Sequence, residues 1–477
     1  MEFSMKIALD DLFRGKSVSL LGAGVSNMPL AGAAASSAAK LTVRDKKSPE
    51  ELGEAAEQLQ GLGAELITGD AYLAGIREDL VFRSPGIRPD LPELTDAVAH
   101  GSVLTSEMEL FLSLEPCPVY AITGSDGKTT TTTITSLLLE AGLGKEHVFL
   151  GGNIGEPLLH RYPKITADDV VAVELSCFQL MPVDAPVEVA AITNMSPNHL
   201  NWHTDMDEYV WAKKRLLAKC GRAVLNYDND LTREAAFEMQ KTDTPVTFFS
   251  LAPIPAGVLR GIDSAVWLED GVIYSDFPGE GVREVMKRSD IRLPGIHNTA
   301  NFMTAIAVTH GKVSYDDVRT VAQTFGGVEH RLEFVRELDG VTYINGSIDS
   351  SPTRTAAALS ALDDRPVVLI VGGSDKNLDY APFAETVFAS TVHTLVLTGA
   401  TMEKVYAAVT EAPGYADAAA KGLKIVKNPS FDGAVEDARA AAKAGDTVIL
   451  SPAAASFDAF PNFMVRGRHF KELVMAF

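Results

Sequence analysis

The stretch VYAITGSDGKTTTTTITSLLLEAG, residues 119–142, reads as a strand, a glycine-bearing loop and a helix in direct succession. Val119 to Thr123 is apolar and largely β-branched or aromatic, as a buried parallel strand requires. Gly124 and Gly127 let the backbone turn its N–H groups onto phosphate oxygens, and a helix opening at Lys128 adds partial positive charge from its N-terminus. Lys128 is the cation for terminal phosphates, and the Thr129 hydroxyl is of the kind that ligates Mg²⁺. Ile122 stands where the common G-x-x-x-x-G-K-[ST] loop has its first glycine, so the loop departs from that pattern at its start. The expected nucleotide-binding residues are Gly124, Ser125, Asp126, Gly127, Lys128, Thr129 and Thr130. ATP is the expected nucleotide, because no N-K-x-D-like guanine reader is evident.

On both sides of this unit, short β-branched runs alternate with helical patterns, the signature of βαβ units and parallel sheets. SVSLLG, AKLTVR, AELITG and DLVFRS read as strands in the first 115 residues, and VVLIVGG, TLVLTG, LKIVKN and DTVILSP in the last third. The fold class is therefore α/β. At 477 residues the chain exceeds what one core serves. Three domains are expected: a Rossmann-like N-terminal domain over 1–116, a central phosphate-loop domain over 117–327 and a Rossmann-like C-terminal domain over 328–477. Residues 245–290 read as less regular. With 42 Lys+Arg against 63 Asp+Glu the net charge is -21, which repels nucleic acid and anionic membrane alike. No apolar run is long enough to span a bilayer and the N-terminal segment lacks the pattern of a signal peptide, so a cytoplasmic protein is expected. Cys117, Cys177 and Cys220 read as buried free thiols.

Glu174 closes the run VVAVE, and a carboxylate at the C-terminal end of a parallel strand faces the ligand crevice. His199 and His203 stand four apart in HLNWH, a spacing that a helical zinc pair would share. Lys213 sits beside Lys214 and Arg215 on a helical pattern, which charge alone reads as a solvated basic face. In LLGAGVSN, Gly22 and Gly24 fit a dinucleotide turn, Asn27 occupies the third glycine's place, and Asp45 closes the next strand at about the spacing of a ribose-binding acid. Taken alone, that segment suggests an NAD site.

T-G-[ST]-[ND]-G-K-[ST] is the form of the loop in the Mur ligases, the ATP-dependent amide ligases of peptidoglycan precursor synthesis, and this chain resembles it at every position. GGNIG (151–155), VELSCFQL (173–180), NHLNWH (198–203), YVWAKKRLL (209–217), GIHNTAN, EHR, GGSDKN and LSPAAASFDAFPNF follow in the family's order. The resemblance covers nearly the whole chain. The ELS.FQL and LSPA.AS.D.F.NF segments are most similar to the members that add D-glutamate to UDP-N-acetylmuramoyl-L-alanine. The resemblance implies ATP as co-substrate, two Mg²⁺ ions, a monomer, and an acyl phosphate formed while three domains close around the substrates. It implies Lys128, Glu174, His199 and Lys213 as catalytic residues. Thr129, Glu174, His199 and, once carbamylated by CO₂, Lys213 would be metal ligands, leaving His203 outside the set. Val25, Ser26, Asp45, Ser84, Pro85, Gly86 and Asn153 would face the UDP substrate. Asn298 and Asn301 would lie near adenine, with Arg331, next to His330, on the nucleotide. Lys376, Ser456 and Phe463 would hold the incoming amino acid, whose carboxylates suit a cation and a hydroxyl.

Two segments depart from the family's pattern. NGSIDSS, 345–351, stands where the family commonly reads N-D-S-[KI]-[AS]-[TS], so Gly346 replaces an Asp expected to help bind the nucleotide and Asp349 adds a negative charge nearby. Losing one charge-assisted contact costs about 1.5–3 kcal/mol, which points to a weaker nucleotide site. Asn201 replaces a common Asp after the metal histidine, which would loosen the support of the metal. Another amide ligase of the same superfamily, such as a folylpolyglutamate-type enzyme, and a non-catalytic nucleotide-binding relative are the competing readings. The GAGVSN unit with Asp45 disfavours the first, and the retained Lys128, Glu174, His199 and Lys213 disfavour the second.

Overall fold

The computed structural model describes residues 9–477 apart from 201, 260–261, 294, 363–364 and 376–377, so Asn201 and Lys376 lie outside the described residues. Among the described residues the strands form three sheets. The first orders Glu65–Thr68, Lys40–Asp45, Ser17–Leu21, Leu80–Arg83 and Val103–Thr105 side by side, all parallel. This is the doubly wound order, with its topological switch between Ser17–Leu21 and Leu80–Arg83.

The second sheet is built around Val119–Thr123, every residue of which is buried. That strand lies between Val170–Glu174 and Val187–Ile192, and Val148–Gly152 closes the edge beyond Val170–Glu174. The register pairs Ile122 with Glu174 and Thr123 with Ile192, so the glycine loop, Glu174 and the Thr193–Asn194 turn emerge at one end of the sheet. In the opposite direction the sheet continues through Cys220–Asn226, Val246–Ser250 and Ser264–Glu269, then turns antiparallel in Val272–Phe277 and Gly281–Lys287. Residues 245–290 are thus largely regular, contrary to the sequence reading. Val272–Phe277 alternates half-buried and buried positions. Such one-faced strands lack the continuous apolar run that marks a strand buried on both faces.

The threonine run does not break the helix Lys128–Leu143, although β-branched residues are weak helix formers. Thr132 and Thr133 donate their hydroxyls to the carbonyls of Lys128 and Thr129 one turn back, both at 2.8 Å. Thr131, Thr132 and Thr135 are buried.

The third sheet orders Glu333–Leu338, Val341–Asn345, Thr447–Leu450, Val367–Gly372, Val392–Thr398 and Lys424–Lys427, with only the first pair antiparallel. Its core is packed on two faces, one around Leu369, Val371 and Phe383, the other around Val368, Ile370 and Phe470. Two compact units result. Residues 1–290 with 299–321 hold the first two sheets, and residues 291–298 with 322–477 hold the third. Cys177 and Cys220 are buried, whereas Cys117 is only half-buried because it lies in the connector between the first two sheets.

Candidate active site

The glycine loop is shaped by its neighbours in the first unit. Ser125 N donates to Asn194 O at 2.9 Å, Asp126 N donates to Asn194 Oδ1 at 2.9 Å, and Thr193 Oγ1 donates to Asp126 O at 2.6 Å. The Ser125 hydroxyl lies 2.7 Å from Tyr209 Oη and donates to Ser196 O at 3.0 Å. Gly127 caps the helix in the left-handed conformation, φ 76°, and a Cβ there would collide with Asn301 Oδ1, which accepts from Thr131 Oγ1 at 3.1 Å. Asn301 thus abuts the loop it was expected to serve, and Asn298 lies one turn earlier on the same helix, Ile296–Thr309.

Two lysines, a carboxylate and a histidine gather at this loop. Lys128 Nζ donates to Ser125 O at 2.8 Å. Lys213 is 1 % exposed, donates to Gly124 O at 2.6 Å and lies 4.7 Å from the centre of the Tyr209 ring. Burial first, and the Lys128 charge second, hold its amine down to about 7. The basic face expected from charge alone is not solvated at this position. Glu174 is also 1 % exposed. Its Oε1 accepts from Asn153 Nδ2 at 2.8 Å, while its Oε2 is buried with no hydrogen bond. Asn153, expected beside the UDP substrate, is held by Glu174 through both its side chain and its backbone N–H. His199 is exposed, has a left-handed backbone at φ 56°, and is held below the usual histidine range by partial burial and by the Lys128 and Lys213 charges. Non-glycine residues in that conformation cost about 1–3 kcal/mol and concentrate at functional sites.

His203 behaves differently. It is buried, its Nδ1 lies 3.0 Å from a Glu208 carboxylate oxygen, and it stacks on Phe178, so His199 and His203 are one exposed and one packed histidine rather than a helical metal pair. Among the described residues no three His, Cys, Asp or Glu side chains converge as a metal-binding group. A site for Mg²⁺ does not need one, because that ion is commonly bound by one or two carboxylates together with substrate phosphates and water. The buried, unpartnered Glu174 Oε2 fits such an ion, since an unsatisfied buried acceptor is otherwise unfavourable.

The other expected UDP-site residues line the switch point of the first sheet. Val25 is 77 % exposed in the turn after Ser17–Leu21, and Ser84, Pro85 and Gly86 follow Leu80–Arg83 across the crevice. Asp45 accepts from the amides of Ala23 and Lys47 at 2.8 and 2.9 Å, and Ser26, next to Val25 in the turn after Ser17–Leu21, is half-buried. Trp202 Nε1 donates to Gly86 O at 2.9 Å, tying the histidine segment to this crevice.

In the second unit, His330 is buried, adopts φ 66°, and meets Phe463 edge to face at 5.8 Å between ring centres. Arg331 follows it and is exposed. Ser456 is buried with its carbonyl accepting from Phe460 N at 2.8 Å. The same unit holds a cavity of about 260 Å³, lined among others by Gly373, Thr398, Asp458, Phe460 and Arg466.

Comparison with known proteins matches residues 122–309 to the Mur ligase middle domain and residues 330–454 to the domain described as Mur ligase, glutamate ligase domain. A UDP-N-acetylmuramoylalanine--D-glutamate ligase of Ruminiclostridium cellulolyticum is 42 % identical over 466 residues, 97 % of each chain. The chain belongs to the Mur ligase family. A ligase with the same description from Acetivibrio thermocellus is 44 % identical over 471 residues, 97 % of this chain and 96 % of that one. Among solved structures, a UDP-N-acetylmuramate-alanine ligase of Thermotoga maritima shares the fold with a TM-score of 0.54 at 15 % identity, covering 97 % of this chain and 99 % of that one.

Several residues that shape this Mur ligase site escaped the sequence reading. Asn194 and Thr193 mould the loop, and Tyr209 holds both Ser125 and Lys213. Asn27, which the sequence already set in the third glycine's place, stitches the first turn by donating to Leu21 O and Gly22 O at 3.0 Å. Asn27 therefore replaces the third glycine with a side chain that hydrogen-bonds the turn it occupies. Arg83 donates to Phe178 O at 3.0 Å, and Arg88 pairs with Glu208 at 2.7 Å, so the arginine that ends Leu80–Arg83 and another in the loop beyond it brace the segment carrying His199. An arginine at the end of an apolar strand was the available signal.

Proposed function

We propose that this Mur ligase joins D-glutamate to UDP-N-acetylmuramoyl-L-alanine at the expense of ATP. The observation that carries the reading is the convergence of Lys128, Lys213 and the half-unpaired carboxylate of Glu174 on one phosphate loop. Making an amide from a carboxylate and an amine in water is uphill. In the reaction the substrate carboxylate attacks the γ-phosphorus of ATP, giving an acyl phosphate and ADP. The amino group of D-glutamate then attacks the acyl carbon, phosphate leaves with the bonding pair, and the amine loses a proton.

Lys128 and the loop amides bind and orient the triphosphate, in the manner of phosphate loops generally. Thr129 and Glu174 would hold one Mg²⁺ with the nucleotide, and His199 with a carbamylated Lys213 a second. Bound there, the ions would neutralise charge on the transferring phosphoryl group. A Lys213 amine lowered to about 7 is substantially neutral near physiological pH, the form that reacts with CO₂. Asn153 orients Glu174, and Asp45 with the Ser84–Gly86 turn receives the uridine end. Arg331, Asn298 and Asn301 recognise the nucleoside, and Lys376, Ser456 and Phe463 the amino acid. Among the described residues no helix is long and apolar enough to cross a membrane, and the reading places the enzyme in the cytoplasm, acting as a monomer.

The test is ATP-dependent phosphate release with Mg²⁺, UDP-N-acetylmuramoyl-L-alanine and D- or L-glutamate, each component omitted in turn. Release that requires all components and prefers D-glutamate is expected. Absence of release with every combination, while ATP still binds, would overturn the reading.

A further inference from the structure

The loop 345–351 has glycine at 346, where the pattern it resembles has a carboxylate, and carries a carboxylate three residues later, at Asp349. Its geometry relates the two changes. A Cβ placed on Gly346 would lie 2.6 Å from Asp349 Oδ2 and 2.8 Å from Leu450 O. The Asp349 carboxylate therefore occupies the space into which a side chain at 346 would project. The backbone makes this possible, because Asp349 N donates to Gly346 O at 2.9 Å and so folds the loop back on itself.

Asp349 is 8 % exposed, and its Oδ2 accepts from Ser451 Oγ at 2.9 Å. Ser451 is itself anchored by a 3.0 Å contact with Thr355 Oγ1. Burial pushes the Asp349 carboxyl up to about 6, opposed by the Ser451 hydrogen bond and by the charges of Arg331, Arg354 and Arg466. Those three cations have different duties. Arg466 is saturated by the carbonyls of Ser347, Ala454 and Ala455, and Arg354 donates to Ile348 O at 3.1 Å. Arg331 is joined to the same loop through its neighbour, because Ile348 N donates to His330 O at 3.2 Å. A buried carboxylate with cations close by is far more favourable than one buried alone.

We propose that Asp349 is a positioning residue for nucleotide recognition, supplying from the next turn of the loop the negative charge beside Arg331 that position 346 no longer carries. This rests on the reading of Arg331 as a nucleotide contact. It replaces the expectation of a weakened site with that of a rearranged one, in which only one of the two positions can hold a carboxylate.

The experiment compares four variants in the full chain, Asp349→Asn, Asp349→Ala, Gly346→Asp and the double Gly346→Asp/Asp349→Ala. It reads KM for ATP and kcat from phosphate release, ATP affinity by direct titration, and thermal unfolding without nucleotide. Asp349→Asn keeps the shape and is expected to melt near the wild type while weakening ATP about tenfold or more, with kcat little changed. Gly346→Asp alone is expected to lower the melting temperature, since two carboxylates would share one space. The double variant is expected to recover ATP affinity to within about threefold of the wild type, a rescue that a merely structural Asp349 would not give. Unchanged ATP affinity in Asp349→Asn, or a double variant no better than Asp349→Ala, would overturn the proposal. Because titration of ATP needs no ligation, it decides this point even if the wild type releases no phosphate with the proposed substrates.

Discussion

Glu107 offers a quantitative test of the first unit. Its Oε1 accepts from Leu159 N at 2.6 Å, at the start of the short helix Leu158–Arg161, and the side chain is buried against the second sheet's helices. Burial pushes its carboxyl from the ordinary 4.5 up to about 7, with the Leu158 and Leu159 amides pulling the other way. The folded state thus binds this proton more tightly than the unfolded chain. Stability from the group is whole below pH 4.5, falls as pH rises toward 7, and stays reduced above it. The interval corresponds to about 3 kcal/mol at pH 8.5. Glu107→Gln keeps the accepting oxygen and removes the titration. The variant is expected to melt with the wild type near pH 4.5 and to exceed it at pH 8.5 by about 1–3 kcal/mol, the lower figure allowing for relaxation around the charge. Thermal unfolding of both proteins across that range is the assay. An offset independent of pH, or a variant less stable at pH 8.5, would refute the reasoning.

Three further outcomes are expected. Glu174→Gln should lower phosphate release at least about 100-fold while leaving the melting temperature equal or higher, because the buried Oε2 it replaces has no hydrogen bond to lose; both are read on one purified sample. Gly127→Ala should lose ATP binding in titration and destabilise the first unit by about 1–3 kcal/mol, through the left-handed backbone and the collision with Asn301. Arg88→Ala should destabilise at neutral pH by about 1 kcal/mol, and the difference should shrink in acid. Glu208 is held down to about 2, chiefly by its hydrogen bond to Arg88, so the stability it contributes is present above its ordinary 4.5 and is lost as pH falls toward 2. Urea unfolding at pH 7 and pH 3 measures it.

The sheets were legible where strands are buried on both faces, since Val119–Thr123 and Val367–Gly372 stand out as continuous apolar runs. The antiparallel strands Val272–Phe277 and Gly281–Lys287 were not, because the first alternates wet and dry positions and the second is exposed over its first four residues, so neither offers a continuous apolar run. At the site, the phosphate loop and Glu174 could be read because function there demands particular residues at particular places. Lys213 could not be read as buried, because adjacent Lys214 and Arg215 imitate an exposed basic face and only the packed structure shows which of them turns inward. Asn194 and Tyr209 act through contacts to residues more than sixty positions away in sequence, which no local pattern encodes.

Each compact unit is assembled from two separate lengths of chain, since residues 291–298 count with the C-terminal unit while 299–321 return to the first. The helix Ile296–Thr309 carries that boundary within it. A single proteolytic cut therefore cannot free either unit intact, and an expression fragment ending near residue 290 would lack part of its own fold. During synthesis, the first unit stays incomplete until the ribosome has passed residue 321, by which time the opening residues of the second unit have already been made. Dissection of this enzyme by truncation would thus report on broken units, whereas permutation or paired cuts that respect the interleaving would leave both whole.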